Sequence, residues 1–120
     1  MSKKILICDD DTDILSICQY ILVELGWEVH TRTNCNDILQ TVREIKPDII
    51  LMDNWIPDCG GIVATQTLKM QHDVKNIPII YFSANNDIKK LAKEAGADTF
   101  LSKPFDIKEL EDVVISVEHC

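Results

Sequence analysis

Three apolar runs in this chain end in residues that could bind a cation or a phosphoryl group. Lys4-Ile5-Leu6-Ile7-Cys8 stops at Asp9-Asp10-Asp11, Asp48-Ile49-Ile50-Leu51-Met52 stops at Asp53, and Asp98-Thr99-Phe100-Leu101-Ser102 stops at Lys103-Pro104. If these runs are parallel strands of one sheet, their charged ends meet at one edge. Three or more carboxylates then share a small space with one ammonium. Carboxylates that close repel one another unless a cation or protons intervene. A hard divalent ion suits them, because Mg2+ takes its oxygens from one or two carboxylates together with substrate phosphate. The chemistry indicated is the binding of a hard divalent cation in an acidic pocket that includes Asp53.

The elements that must position these residues follow from the apolar pattern. Runs 4–8, 48–52 and 77–82 are nearly continuously apolar, as strands covered on both faces are. Ile14, Cys18, Ile21, Leu22 and Leu25 recur at helical spacing, and Gly26 stops that helix. Residues 27–31 alternate like an edge strand. Ile38, Leu39, Val42 and Ile45 form a second helical stripe, capped by Asn34 or Asn36 and ended before Pro47. Residues 61–71 predict a third helix and 86–95 a short fourth with Gly96 as its C-cap. Residues 106–118 predict a fifth, with Asp106 as N-cap and Ile107, Leu110, Val113, Val114 and Val117 apolar. A fivefold βα alternation implies a doubly wound parallel sheet with helices on both faces. Such sheets bind ligands beyond the carboxyl ends of their strands, where the charged residues lie.

Composition narrows the function further. The 120 residues fit one domain, 1–120, and the 46% hydrophobic content suits a globular core. A net charge of −8 argues against direct nucleic-acid binding, which favours a basic surface. No apolar run approaches the ~20 residues of a membrane span, and the start of the chain leads straight into a strand, without room for a signal peptide. The five cysteines (8, 18, 35, 59 and 120) form no CxxC pair, so they read as reduced cytosolic thiols, with Cys8 and Cys18 in the core. His30, His72 and His119 have no metal-ligand spacing and read as surface residues.

Along its whole length the chain resembles the receiver domain of bacterial two-component response regulators, in its single-domain form. The resemblance rests on Asp9-Asp10, on Pro47-Asp48 with Asp53 and Pro57, on Ser83-Ala84, on Ala95-Gly96-Ala97-Asp98, and on Lys103-Pro104-Phe105. It implies a flavodoxin-like fold with strand order 2-1-3-4-5 and five helices; that order comes from the resemblance and is not deduced from the apolar pattern. By resemblance, Asp53 accepts a phosphoryl group from a histidine kinase. Asp9, Asp10, Asp53 and the backbone carbonyl of Trp55 hold Mg2+, and Ser83 and Lys103 contact the phosphoryl oxygens. Phe100 changes rotamer with activation, and the Lys103–Pro104 peptide is cis.

The resemblance further implies a cytoplasmic switch, not an enzyme turning over a free substrate, with no direct contact to nucleic acid or membrane. If the chain is the whole protein, its output is expected through protein contact; if it is a fragment, an output domain lies elsewhere. The expected face comprises the fourth helix, fifth strand and fifth helix. Its partner is either a downstream protein or a histidine phosphotransfer protein that takes the phosphate onward. Three features depart from the family pattern: Cys59-Gly60-Gly61 where a Met-Asp-Gly-like triplet is common, a stretch from Ser83 to Gly96 about two residues short by comparison with the resemblance, and Trp55, bulky for a position bordering the phosphosite. Two other readings compete. A flavodoxin-like cofactor module needs a Ser/Thr/Gly-rich phosphate loop where Asp9-Asp10-Asp11 stands, and those carboxylates repel a flavin phosphate. A Mg2+-dependent phosphatase needs a substrate lid for which little chain remains.

Overall fold

The computed structural model describes residues 3–57 and 59–118. Five parallel strands, β1 (Lys3–Cys8), β2 (Trp27–Arg32), β3 (Ile49–Asp53), β4 (Ile79–Ser83) and β5 (Thr99–Ser102), form one sheet in the order β2-β1-β3-β4-β5. The connecting helices are α1 (Thr12–Glu24), α2 (Ile38–Ile45), α3 (Gly61–Lys69), α4 (Ile88–Ala95) and α5 (Ile107–Glu118). The order of elements and the architecture are those the sequence predicts.

Side chains alternate across the sheet and build two cores. Leu6, Ile50, Met52, Ile79 and Tyr81 pack with Ile38 and Val42 of α2, Ala64 and Leu68 of α3, and Ile88 and Ala92 of α4. Ile5, Ile7, Ile49, Leu51, Ile80 and Phe82 pack on the other face with Leu15, Cys18 and Leu22 of α1 and Leu110 and Val114 of α5. Every residue of β3 and β4 is buried, which is why these runs lack a polar alternation. Each fully buried Leu or Ile contributes about 1.5–3 kcal/mol, so the two cores hold the strand ends in fixed register.

Helix termini explain where the chain enters and leaves the site. Asp11 caps α1, accepting from the N–H groups of Asp13 at 2.9 Å and Ile14 at 3.3 Å. Asp106 and Glu109 make a reciprocal capping box at α5: the Glu109 N–H donates to Asp106 at 2.7 Å and the Asp106 N–H to Glu109 at 3.4 Å. The cap expected at α2 is corrected. Asp37, in the left-handed region at φ 52°, precedes that helix without a side-chain cap, while Asn34 accepts from the Asn36 N–H at 2.9 Å in a turn ahead of it. Lys46, the C-cap of α2, is also left-handed at φ 54°, and Pro47 after it disfavours continuation of the helix. Leu25 and Ile107 are exposed, not core as their spacing predicts: Leu25 is the C-cap of α1, and Ile107 opens α5 one turn before its buried stripe of Leu110, Val114 and Val117. Among the described residues no helix is long and apolar enough to cross a membrane.

Candidate phosphoryl and cation site

The carboxyl ends of β1, β3 and β5 converge as their charged termini predict. Lys103, just past β5, places its ammonium 2.7 Å from Asp9 Oδ2 and 2.8 Å from Asp53 Oδ1. Asp9 and Asp53 are 1% and 5% exposed. Asp10 is exposed beside them, and one carboxylate oxygen from each of Asp9, Asp10 and Asp53 lies within 4.8 Å of the others. These are hard oxygen donors only, so the set fits a small hard dication such as Mg2+.

Backbone groups fix each acid. The second oxygen of Asp53 accepts from the Trp55 N–H at 3.1 Å, and Oδ1 of Asp9 accepts from the Asp11 N–H at 2.9 Å. The Lys103 N–H donates to the Ser83 carbonyl at 2.9 Å, tying the turn after β5 to β4. The Lys103–Pro104 peptide is cis, in agreement with the resemblance.

Burial pushes the Asp53 carboxyl above the usual aspartate range, and the Asp9 charge adds to this; the hydrogen bond from Lys103 opposes it without cancelling it. Burial by itself lowers the Lys103 ammonium, but hydrogen bonds to Asp53 and Asp9 outweigh that and raise it. The two directions are compatible: one cation serves two buried acids, so the cation is held firmly while the acids compete for it. A second cation would relieve that competition.

Ser83 is buried at the end of β4, its Oγ accepting from the Asn85 N–H at 3.0 Å, so it belongs to the same sheet edge as the acids. Phe100 is partly exposed on β5, next to a groove of about 260 Å³ lined also by Lys89, Ala92 and Lys93 of α4. Trp55 is 76% exposed, so its side chain packs little against its neighbours. His30 pairs with Glu28 at 2.7 Å and His72 is exposed; His119 and Cys120 lie outside the described residues.

Several supporting groups escape sequence reasoning. Tyr81, fully buried on β4, donates from its hydroxyl to the Asn54 side-chain oxygen. The Asn54 N–H donates to the Phe82 carbonyl at 3.2 Å, and the Asn54 carbonyl accepts from Gly61 at 3.0 Å. A buried tyrosine needs a partner for its hydroxyl, which is the one signal that could have linked Tyr81 to the turn after β3. The expectation of five reduced thiols is also corrected. Cys35 and Cys59 are disulfide-bonded, with Cα atoms 6.0 Å apart, while Cys8 and Cys18 are free and buried. The pair lies in two loops 24 residues apart in sequence, so no spacing motif announces it.

Comparison with known proteins agrees with this geometry. Residues 5–115 match the family described as response regulator receiver domain. Over 112 residues, 92% of the chain, it is 34% identical to the alkaline phosphatase synthesis transcriptional regulatory protein PhoP of Bacillus subtilis. The chain spans 46% of that protein's length. The crystal structure of a putative response regulator from Chloroflexus aurantiacus superposes with a TM-score of 0.93 at 27% identity, covering 100% of both chains. The receiver domain of sensor histidine kinase PA1611 from Pseudomonas aeruginosa, with a magnesium ion coordinated in its active-site cleft, gives 0.91 at 25% identity, again covering 100% of both. With 111 consecutive residues matched and a carboxylate cluster at the strand ends, the chain belongs to the response regulator receiver domain family.

Proposed function

We propose that the chain is a phosphorylation-controlled switch of a two-component system, with Asp53 as the acceptor. The observation that carries this reading is the Lys103 ammonium bridging buried Asp9 and Asp53. One carboxylate oxygen of Asp53 attacks the phosphorus of a phosphohistidine on a histidine kinase. The P–N bond breaks, and the imidazole leaves with the electron pair and takes up a proton. Phosphoryl transfer depends on positioning and charge neutralisation more than on covalent chemistry from the protein. Lys103 and Ser83 neutralise and orient the incoming oxygens. Asp9, Asp10, Asp53 and the Trp55 carbonyl would hold Mg2+, which neutralises further charge when bound; the magnesium in the related PA1611 receiver supports that assignment.

The aspartyl phosphate carries about −1.5 to −2 charge. Ser83 and Lys103 respond to it, Phe100 follows, and the face built from α4, β5 and α5 engages a downstream protein in the cytoplasm. That PA1611 is itself a sensor kinase supports a second reading, in which Asp53 passes its phosphate to a histidine phosphotransfer protein.

With Mg2+ and a small acyl phosphate or phosphoramidate, intact-mass analysis is expected to find one acid-labile phosphoryl group, suppressed by chelation. NMR spectra of the labelled protein are expected to shift across α4, β5 and α5. No labelling, or shifts confined to α1 and α2, would count against the reading. Incubating the labelled chain with a histidine phosphotransfer protein separates relay from direct output.

Trp55 adds a rate prediction. Its side chain is exposed and stands two residues beyond the acceptor, so we infer that it shields the aspartyl phosphate from an attacking water. Trp55→Asn is expected to lose phosphate faster, roughly threefold for less than 1 kcal/mol of barrier. Its Mg2+ affinity should be nearly unchanged, since the carbonyl remains. An equal or slower rate would end the shielding idea.

A further inference from the structure

We propose that Cys35 and Cys59 form a reversible thiol–disulfide pair that couples the oxidation state of the chain to the cation affinity of the acidic pocket. The inference rests on the reading of Asp9, Asp10, Asp53 and the Trp55 carbonyl as a Mg2+ site. Cys35 lies between β2 and α2, and Cys59 in the segment between β3 and α3 that also carries Trp55. Their 6.0 Å Cα separation falls within the range that a disulfide bridges. The Cys35 N–H also donates to the Pro57 carbonyl at 3.2 Å, so the two loops already run together.

The segment from Asn54 to Gly61 is held at its ends. Asn54 bonds to Phe82 and Gly61, and the Gly60 N–H donates to the Ile56 carbonyl at 3.1 Å. The disulfide adds a covalent tie to the loop that enters α2. With it in place, the segment that carries Trp55 has fewer conformations open to it; without it, the segment has more to lose on binding a cation. Intracellular disulfides are mostly transient or redox-sensing, which suits a pair beside a regulated site. Cys8 and Cys18 do not compete for this role: burial pushes their thiols up to about 12 and about 11, and a thiol held protonated is a poor nucleophile.

The exchange balances with a small disulfide as oxidant and a dithiol as reductant. The Cys59 thiolate, on the more open of the two residues, attacks a sulfur of the small disulfide and expels one thiolate. The Cys35 thiolate then attacks Cys59 Sγ, closes the protein disulfide and expels the second. Two electrons pass to the small disulfide, and the two cysteine protons end on the released thiols. A dithiol reverses both steps and leaves as its own disulfide.

Linkage makes the coupling reciprocal: the factor by which the disulfide tightens Mg2+ is the factor by which Mg2+ resists reduction of the disulfide. The test begins with the full chain equilibrated with a small disulfide, digested with trypsin without reductant. Peptides 33–43 and 44–69 are expected to stay joined until a dithiol is added; their separation beforehand would overturn the pair itself. Mg2+ alone is then titrated into oxidised and reduced protein, followed by tryptophan fluorescence and calorimetry. The oxidised form is expected to bind at least about fivefold tighter, the lower end of allosteric couplings. Saturating Mg2+ should raise by the same factor the dithiol needed for half-reduction. Cys35→Ser and Cys59→Ser, each alone, should bind Mg2+ like the reduced parent whatever the redox buffer. A disulfide that merely staples the fold would raise Tm and leave both Mg2+ affinities equal, and that result overturns the coupling. Absence of Mg2+ binding in both forms overturns the cation reading, and the coupling with it, while the joined peptides would still stand.

Discussion

Replacing Asp53 with asparagine is expected to abolish phosphoryl labelling and, in the absence of metal, to stabilise the fold. The first effect follows from removing the nucleophile: the amide is isosteric but carries no charge to attack phosphorus. The second follows from charge crowding. Asp9 and Asp53 are both buried and share the single ammonium of Lys103, with Asp10 close by. Burial, then the Asp9 charge, raises the Asp53 carboxyl against the Lys103 hydrogen bond that lowers it. Because its folded pKa lies above the unfolded reference of 3.8, the native state binds this proton more tightly than the unfolded state. Stability from Asp53 is therefore fully present below that reference and is lost as pH rises through the folded value. Asparagine removes this loss and leaves Lys103 a matched partner in Asp9. The variant's advantage over the parent should be absent in acid, grow as pH rises through the folded pKa, and level off above it. It should be read as a raised Tm, about 4 °C for each kcal/mol at this chain length. Denaturant melts of both proteins across that pH range, without divalent ions, check the sign. A neutral-pH loss of stability would show that the Asp53–Lys103 attraction outweighs desolvation and repulsion. Residual labelling of the variant would remove Asp53 as acceptor.

The same crowding explains why so much of the site is legible in the sequence. Buried parallel strands must be apolar through their length, so the first charged residue after each run marks the place where the strand leaves the core. Asp9, Asp53 and Lys103 are each such a residue, and fold logic alone brings them to one edge. The groups that hold the turn after β3 leave no such mark. Tyr81 hides within an apolar run, and its hydroxyl reaches Asn54 only after the sheet has formed. Cys35 and Cys59 meet only because α2 and α3 flank the same face. The α2 entry is misread because Asp37 takes a left-handed backbone in place of a capping one, a choice made by the surrounding loop, not by local propensity. Pairing across loops is a property of tertiary closure, and periodicity carries no information about it.

Gly61 is where that closure is tightest, and Gly61→Ala is expected to cost about 3 kcal/mol or more, the upper range for overpacking. The Cβ would run into the carbonyl oxygen of Asp53 and stand 2.9 Å from Asn54 Cα, both backbone groups without rotamers to yield. The strand end that carries the acceptor must then move, or the start of α3 must. Either shift breaks the 3.0 Å bond from the Gly61 N–H to the Asn54 carbonyl and loosens the Tyr81–Asn54 contact. Gly60 offers the control. Its φ of 78° and ψ of 155° suit only glycine, yet a Cβ there meets nothing within 4 Å. Gly60→Ala should therefore cost about 1–3 kcal/mol of backbone strain while leaving Asp53 in place. The two variants separate stability from geometry. At a temperature where both are folded by circular dichroism, Gly60→Ala should keep near-parental Mg2+ affinity and labelling, whereas Gly61→Ala should lose both. If folded Gly61→Ala binds Mg2+ like its parent, the close approach of α3 to Asp53 is not what positions the acceptor. Cys59-Gly60-Gly61, which departs from the common family triplet, would then supply only the turn.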